Sequence, residues 1–433
     1  MSRKVKLFDW NDIPTLLALL IIVVSLCLFG ADSPASSLLI STMVLVVTGV
    51  SLIIFEDMQF RWWMLPFLLW WAVLFGVHAF TGLAADGEHE YLMLLTGGCM
   101  FCLGRHGALS RRRRRRLFKA VAVFAFLFSM FAFFQHVIAP DYVLGLEKQY
   151  HHNRLTGPFL SANTTATFLG MLLLFLIFRL LHSIQRGDEG KHSDQRLGWF
   201  NWLIAFPITV SALFVTLTCL LLTASRAGFF ASSLAVATLL IGFAFGRAGT
   251  RSEESSSTRL PTYVVIFSVA AAGIAVWSLS GTMLETRLTD LNDNLLPREV
   301  MFSASWKAGG LRPWLGHGLD NLNSASAMMS TAETNGPIVS QNAAHNIFAE
   351  WFAQAGWPGL LSLCLIIGMV LYSTLYNSTN QLVKALRSSL IVLVVAHGIF
   401  DYGLEIPAVF LMLSLLVGLT GDKPPSATAR SNG

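Results

Sequence analysis

A histidine stands where a long polar segment gives way to an apolar one, in Ala343-Ala344-His345-Asn346-Ile347-Phe348-Ala349-Glu350. Imidazole is the side chain most readily tuned to take or give a proton near neutral pH. A helix starting here adds backbone N–H groups and the positive end of a dipole, which attract anions and disfavour imidazolium. A neutral His345 beside an anion-friendly helix end suits a general base working on a phosphate-bearing substrate. A capping or interfacial histidine is the plain alternative. Asn346, Glu350 and Gln354 recur at i, i+4 and i+8 on one helix face, as glue between helices or as the wall of a wet cavity. An ionised Glu350 there needs a partner, and an arginine on the same membrane face is the expected one.

Arginine supplies the complementary chemistry. Arg226 lies in Leu222-Thr223-Ala224-Ser225-Arg226-Ala227-Gly228, between two apolar runs with almost no loop. A charge so close to hydrocarbon faces a cavity or snorkels to the interface. Arg154 sits in Asn153-Arg154-Leu155-Thr156-Gly157-Pro158-Phe159, and Arg298 opens a stretch that reaches Trp306 and Arg312-Pro313-Trp314-Leu315-Gly316-His317-Gly318. Their plain alternatives are a loop cation and an amphipathic surface helix. Guanidinium binds phosphate in bidentate fashion and stays charged in a partly dry site. Several arginines and one histidine on one face therefore point to an anionic, diphosphate-bearing ligand activated for transfer. Metal chemistry finds no support: Asp290 with Asp293, His151-His152, and the group His78, Glu88, His89 and Glu90 all lack ligand spacing. There is no P-loop or G-x-S-x-G motif, and no metal or cofactor is expected. Cys99 and Cys102 read as small apolar helix residues.

The elements that must position these residues are membrane helices. Hydrophobic residues make up 54% of the 433 and charged residues only 13%, about half the charge of a soluble domain. Spans are expected at 14–30, 36–55, 62–80, 90–104, 117–139, 161–182, 200–222, 227–246, 262–280, 346–371, 386–401 and 405–421. The expected fold is an all-α polytopic membrane protein of about 12 helices: spans one to nine in 1–280, a large periplasmic loop at 281–345, three more spans in 346–421 and a cytoplasmic tail at 422–433. With both ends inside, all but seven of the 30 lysines and arginines fall on the inner face; the seven are Lys148, Arg154, Arg226, Arg287, Arg298, Lys307 and Arg312. That bias sets the orientation. The run Arg111–Arg116 reads as an anchor held by anionic headgroups rather than a nucleic-acid patch.

In order and on one face, these stretches resemble the O-antigen ligase family, within the superfamily that also holds O-antigen polymerases and protein O-oligosaccharyltransferases. Arg154-Leu155-Thr156-Gly157-Pro158-Phe159 with Asn163 is similar to its R-x-x-G-x-F then N series. Ser225-Arg226-Ala227-Gly228 is similar to its S-R-[AG] turn, and Arg298, Trp306, Pro313 and Gly316-His317-Gly318 to its R, W, P, G-x-G segment. His345-Asn346, Glu350 and Gly356-Trp357-Pro358-Gly359-Leu360 resemble its H-N, acidic and G-x-x-G series. Trp357-Pro358 departs from the family's aliphatic pair and is expected to kink the helix.

The resemblance implies a fold like the multi-helix membrane glycosyltransferases. It also implies transfer of a glycan from undecaprenyl diphosphate to a hydroxyl of lipid A–core oligosaccharide, at the periplasmic face of a bacterial inner membrane, without metal or nucleotide. On that reading His345 is the base, Arg226 with Arg154 or Arg298 holds the diphosphate, and Asn346 and Glu350 support them. Direct displacement inverts the anomeric centre. O-antigen polymerase, protein O-oligosaccharyltransferase and, ranked last, a transporter of lipid-linked sugars remain the alternatives. A protein oligosaccharyltransferase would be expected to carry a further polar segment near its C-terminus. A transporter would carry ionisable residues near the bilayer midplane and paired broken helices.

Overall fold

The computed structural model describes residues 9–58, 64–85, 87–189, 207–248, 291–332, 334–340, 343–378 and 380–421. The described residues are all-α apart from one short hairpin, and their helices are α1 (Ile13–Cys27), α2 (Pro34–Ile54), α3 (Leu65–Phe80), α4 (Glu88–Ala108), α5 (Arg111–Ile138), α6 (Ala162–Glu189), α7 (Pro207–Leu222), α8 (Arg226–Ala248), α9 (Leu291–Leu311), α10 (Leu322–Ala327), α11 (Asn335–Ser340), α12 (Ile347–Asn377), α13 (Gln381–Gly398) and α14 (Pro407–Leu419). Seven described helices are long and apolar enough to cross a membrane, and α3, α7 and α14 are shorter apolar helices. Every expected span coincides with a helix except 262–280, which lies outside the described residues. The expected 386–401 is displaced: α13 runs Gln381–Gly398, so Asp401 stands beyond its end.

The bundle is organised around α6. Protein covers 94% of its apolar window, against 28% for α12, so α6 is the axis and α12 faces outward along most of its length. The fourth span, α4, is less apolar than its neighbours and is held by close contact instead. It packs against α14 and α2. A Cβ on Gly104 would lie 2.4 Å from the Leu415 carbonyl oxygen and one on Gly418 2.2 Å from that of Phe101. Small residues let two backbones meet where apolarity alone offers no drive between helices in lipid.

At one end of the bundle the arginine run turns inward. Arg116 donates to both carboxylate oxygens of Asp12, at 2.6 and 3.0 Å. Arg113, only 5% exposed, donates to the His106 carbonyl at 3.0 Å and pairs with Asp57 at 3.5 Å. The expectation of a simple headgroup anchor is therefore corrected: Arg113 and Arg116 lock α5 to α4 and to the start of the chain. Arg111, Arg112 and Arg115 are the exposed members of the run.

The opposite end carries the loops. Residues 142–147 form a hairpin, with Tyr142 opposite Glu147 and Val143 opposite Leu146. Leu144 and Gly145 both have positive φ at its tip, the turn that matches strand twist. The segment before α12 folds as α9, α10 and α11, with α9 against α12. The break in α12 falls at Gly356, with φ 63° and ψ −166°, one residue ahead of the expected Trp357-Pro358. A break frees backbone groups, and the turn at 312–318 meets them: Trp357 N–H donates to the Pro313 carbonyl at 2.7 Å, while His317 and Gly318 N–H donate to the carbonyls of Ala353 and Gln354 at 3.0 and 2.9 Å. Trp306 packs on Phe352, which packs on Trp357, and closes the junction.

Candidate active site

Three of the singled-out stretches meet in one network centred on Asn163 and Asp401. The first runs from the hairpin into α6. His151 and Asn153 both have positive φ, a conformation asparagine tolerates better than most residues. Leu155 and Phe159 are buried, and Leu155 N–H donates to the Leu222 carbonyl at 3.0 Å. These anchors hold Arg154 at the mouth of the bundle. Its guanidinium donates to the Thr223 carbonyl at 2.8 Å, to His151 Nδ1 at 2.9 Å and to Asn163 Oδ1 at 3.2 Å.

The second stretch is the α7–α8 turn. Ser225 caps α8, receiving the Gly228 N–H at 3.1 Å, while its hydroxyl donates to Asn163 Oδ1 at 2.8 Å. A Cβ at Gly228 would lie 2.4 Å from that of Ala166, so glycine here lets α8 lie against α6. With Oδ1 taking two donors, Asn163 must present its amide to the other side, and Nδ2 meets Asp401 Oδ1 at 3.5 Å.

The third stretch brings His345 to the same carboxylate. Asn346 is the N-cap of α12, accepting the N–H groups of Phe348 and Ala349 at 3.0 Å each and donating to the Ile399 carbonyl at 3.0 Å. That tie fixes the start of α12 to the loop after α13. His345, at φ 51°, turns so that Nδ1 meets Asp401 Oδ1 at 3.4 Å. A carboxylate only accepts, so this contact puts the proton on Nδ1 and the lone pair on Nε2. Asp401 is 1% exposed and its Oδ2 has no hydrogen-bond partner among the described residues.

His345, Asn163, Arg154, Arg298 and Glu350 line one cavity of about 1300 Å³. Arg298 reaches in from α9, near enough to His151 and Asp401 for its charge to act on both. Burial first, and then the Arg154 charge, push His151 down to about 4, so it stays neutral and accepts from Arg154. Arg226 stands apart from the other expected residues: it is exposed at the first turn of α8 and does not line the cavity, although Ser225 beside it belongs to the network. The arginine expected to partner Glu350 is replaced by other groups. Glu350 is 3% exposed, takes the Gln354 amide at 3.4 Å and lies within hydrogen-bonding reach of Glu405.

Asp401, His151 and Glu405 are the site residues that sequence reasoning missed. A signal for Asp401 was present, because a carboxylate at the edge of an apolar run is costly unless it is partnered. The chemistry on offer is general-base catalysis by an oriented imidazole beside a cationic pocket.

Residues 211–364 match the family described as O-Antigen ligase, a stretch that holds Ser225, Arg226, Arg298, His345 and Glu350. The chain is also 24% identical over 353 residues to a General O-oligosaccharyltransferase of Acinetobacter baylyi, covering 76% of this chain and 55% of that protein. It thus spans about half the length of this curated relative.

Proposed function

With residues 211–364 matching the family described as O-Antigen ligase, we propose a specific reaction: an O-antigen ligase that transfers a glycan from undecaprenyl diphosphate to a hydroxyl of lipid A–core oligosaccharide. In this reading His345 Nε2 takes the proton of the acceptor hydroxyl as its oxygen attacks the anomeric carbon. The bond from that carbon to the diphosphate oxygen breaks, and inversion follows from direct displacement. Asp401 is a positioning residue that holds the imidazole and favours the imidazolium as it forms. Arg154 and Arg298 receive the charge developing on the diphosphate, and Arg226 meets it at the membrane edge. The site opens to the periplasm of a bacterium, in the inner membrane, with both termini in the cytoplasm.

The observation that carries this reading is the His345–Asp401–Asn163 chain, joined through Asn163 to Arg154 and Ser225. It couples an oriented base to a phosphate-binding cation in one cavity. A second reading is an O-oligosaccharyltransferase, the activity in the name of the Acinetobacter baylyi relative, with the accepting hydroxyl on a protein.

The test uses a host deleted for its own ligase and complemented with this chain or with His345→Ala or Arg226→Ala. The wild type restores long-chain lipopolysaccharide on gels. His345→Ala loses about 10²–10⁴ in rate and Arg226→Ala about 10²–10³. Near-normal ligation by either variant removes that residue from the mechanism. Glycosylated protein without lipopolysaccharide would select the second reading.

A further inference from the structure

The cavity has two walls of opposite sign. His151 feels Arg154, Arg298 and Lys148, which all line one side. Five carboxyl groups line the other: Asp32, Glu90, Asp320, Glu350 and Glu405. They form one electrostatic group, since Asp32 feels Glu90 and Asp320, and Glu405 feels Glu350, Glu90 and Asp32. His345 and Asp401 stand at the seam between the walls, with Asp401 within reach of Arg298 on one side and acting on Glu350 on the other.

The acidic wall is built from five separate parts of the chain: the α1–α2 loop, the first turn of α4, the segment before α10, the start of α12 and the loop before α14. Its deepest member points to a ligand. Glu350 is only 3% exposed and lines the cavity, and beyond the proton it can share with Glu405 its Oε2 has no hydrogen-bond donor among the described residues. A buried acceptor left unfilled costs free energy, which a ligand that brings a donor recovers. Beside it, Glu405 makes a carboxyl pair. Two carboxyls in contact retain a proton between them, and such a pair both donates to and accepts from a hydroxyl. Asp32 is exposed to the cavity and feels the charges of Glu90 and Asp320, so this wall resists any further negative charge.

We propose that the acidic wall is the acceptor subsite, and that it takes a sugar whose reacting end presents hydroxyls and carries no phosphate or carboxylate. The proposal rests on the two-substrate reading above, because one wall suits the diphosphate and the other repels it. Sugar hydroxyls donate well to carboxylates, and an anionic acceptor would be turned away by like charge.

The experiment uses the full chain in phosphatidylcholine nanodiscs, with inorganic diphosphate present throughout to occupy the cationic wall. Calorimetry measures binding of two tetrasaccharides, neutral maltotetraose and tetragalacturonate. Maltotetraose is expected to bind at least about tenfold more tightly, the size of one charge interaction in a wet cavity. In the triple variant Asp32→Asn, Glu90→Gln, Asp320→Asn, whose substitutions lie on the cavity surface, that gap closes. Equal binding of the two sugars by the wild type, binding of neither, or a gap that persists in the variant overturns the proposal. Arg154→Ala separates the two readings: it should weaken inorganic diphosphate binding and leave the sugar gap intact. If diphosphate binding does not move, the donor placement fails while the acidic wall stands.

Discussion

Replacing Asp401 by asparagine is the sharpest perturbation of the site, because the two side chains have the same shape and differ in charge and in hydrogen-bonding sense. Asp401 Oδ1 lies 3.4 Å from His345 Nδ1 and 3.5 Å from Asn163 Nδ2, and the side chain is 1% exposed. In the proposed mechanism His345 takes the acceptor proton and becomes a cation beside this carboxylate. At a charge separation of about 4 Å and an effective dielectric of about 20 their attraction is about 4 kcal/mol, or about 10³-fold in rate. The substituted amide forfeits that attraction and can turn its N–H toward Nδ1, which moves the lone pair away from the substrate side. Single-turnover transfer by purified Asp401→Asn, with a lipid-linked donor and excess acceptor, should therefore fall by about 10³, with KM for both substrates nearly unchanged. Asp401→Glu, which keeps the charge, should recover part of the loss. A merely structural aspartate would show the reverse, with protein yield and thermal midpoint falling and the surviving fraction fully active. Transfer by Asp401→Asn within a few-fold of wild type would refute the assignment.

Three further outcomes follow from the same geometry. Gly356→Ala puts a Cβ 2.6 Å from the Pro313 carbonyl at a φ of 63°, so the folded state should lose about 1–3 kcal/mol or more, read as a lower unfolding midpoint in detergent. Asn346→Ala removes the cap of α12 and its tie to Ile399; it should cost about 1 kcal/mol of stability and lower kcat more than it raises KM, as His345 drifts. The loop around His151 should loosen in acid. The unfolded histidine takes its proton near 6.5 and the folded one only near 4, so its contribution to stability is complete above about 6.5 and lost as pH falls toward 4. The unfolding midpoint measured from pH 7.5 to 4.5 checks this, and His151→Gln should flatten the slope.

Much of this architecture is written locally, and what is not local was missed. Spans are legible because twenty apolar residues have few other fates, and the Asn346 cap because a polar residue ahead of an apolar run marks a helix start. The motif residues Arg154, Ser225 and His345 could be picked out singly. That Arg154 and Ser225 share Asn163, and that Asp401 joins them to His345, depends on α6, α8 and α13 packing side by side, and no periodicity carries that. Asp401 fell inside an expected span because hydropathy averages over a window and loses one carboxylate among leucines and valines. Glu350 was given an arginine because charges are first paired with opposite charges, whereas here the fold sets a carboxylate against Glu405. The arginine run deceived in the other sense: six like residues suggest one role, yet helical geometry turns Arg113 and Arg116 inward and leaves Arg111, Arg112 and Arg115 outside.

The order in which the network's members appear along the chain has its own effect during synthesis. Arg154, Asn163 and Ser225 are made first, His345 much later, and Asp401 only after α13 has been completed. A nascent chain that has threaded everything through α12 into the bilayer holds the cationic pocket and the histidine, but the imidazole has no carboxylate to set its tautomer, and Asn346 has no Ile399 carbonyl to grip. The reactive geometry therefore closes in a single late step, when the α13–α14 hairpin docks against α6. On the proposed mechanism, a donor lipid that reaches a half-inserted chain meets a pocket whose base is not yet oriented, and insertion of the last hairpin completes the site.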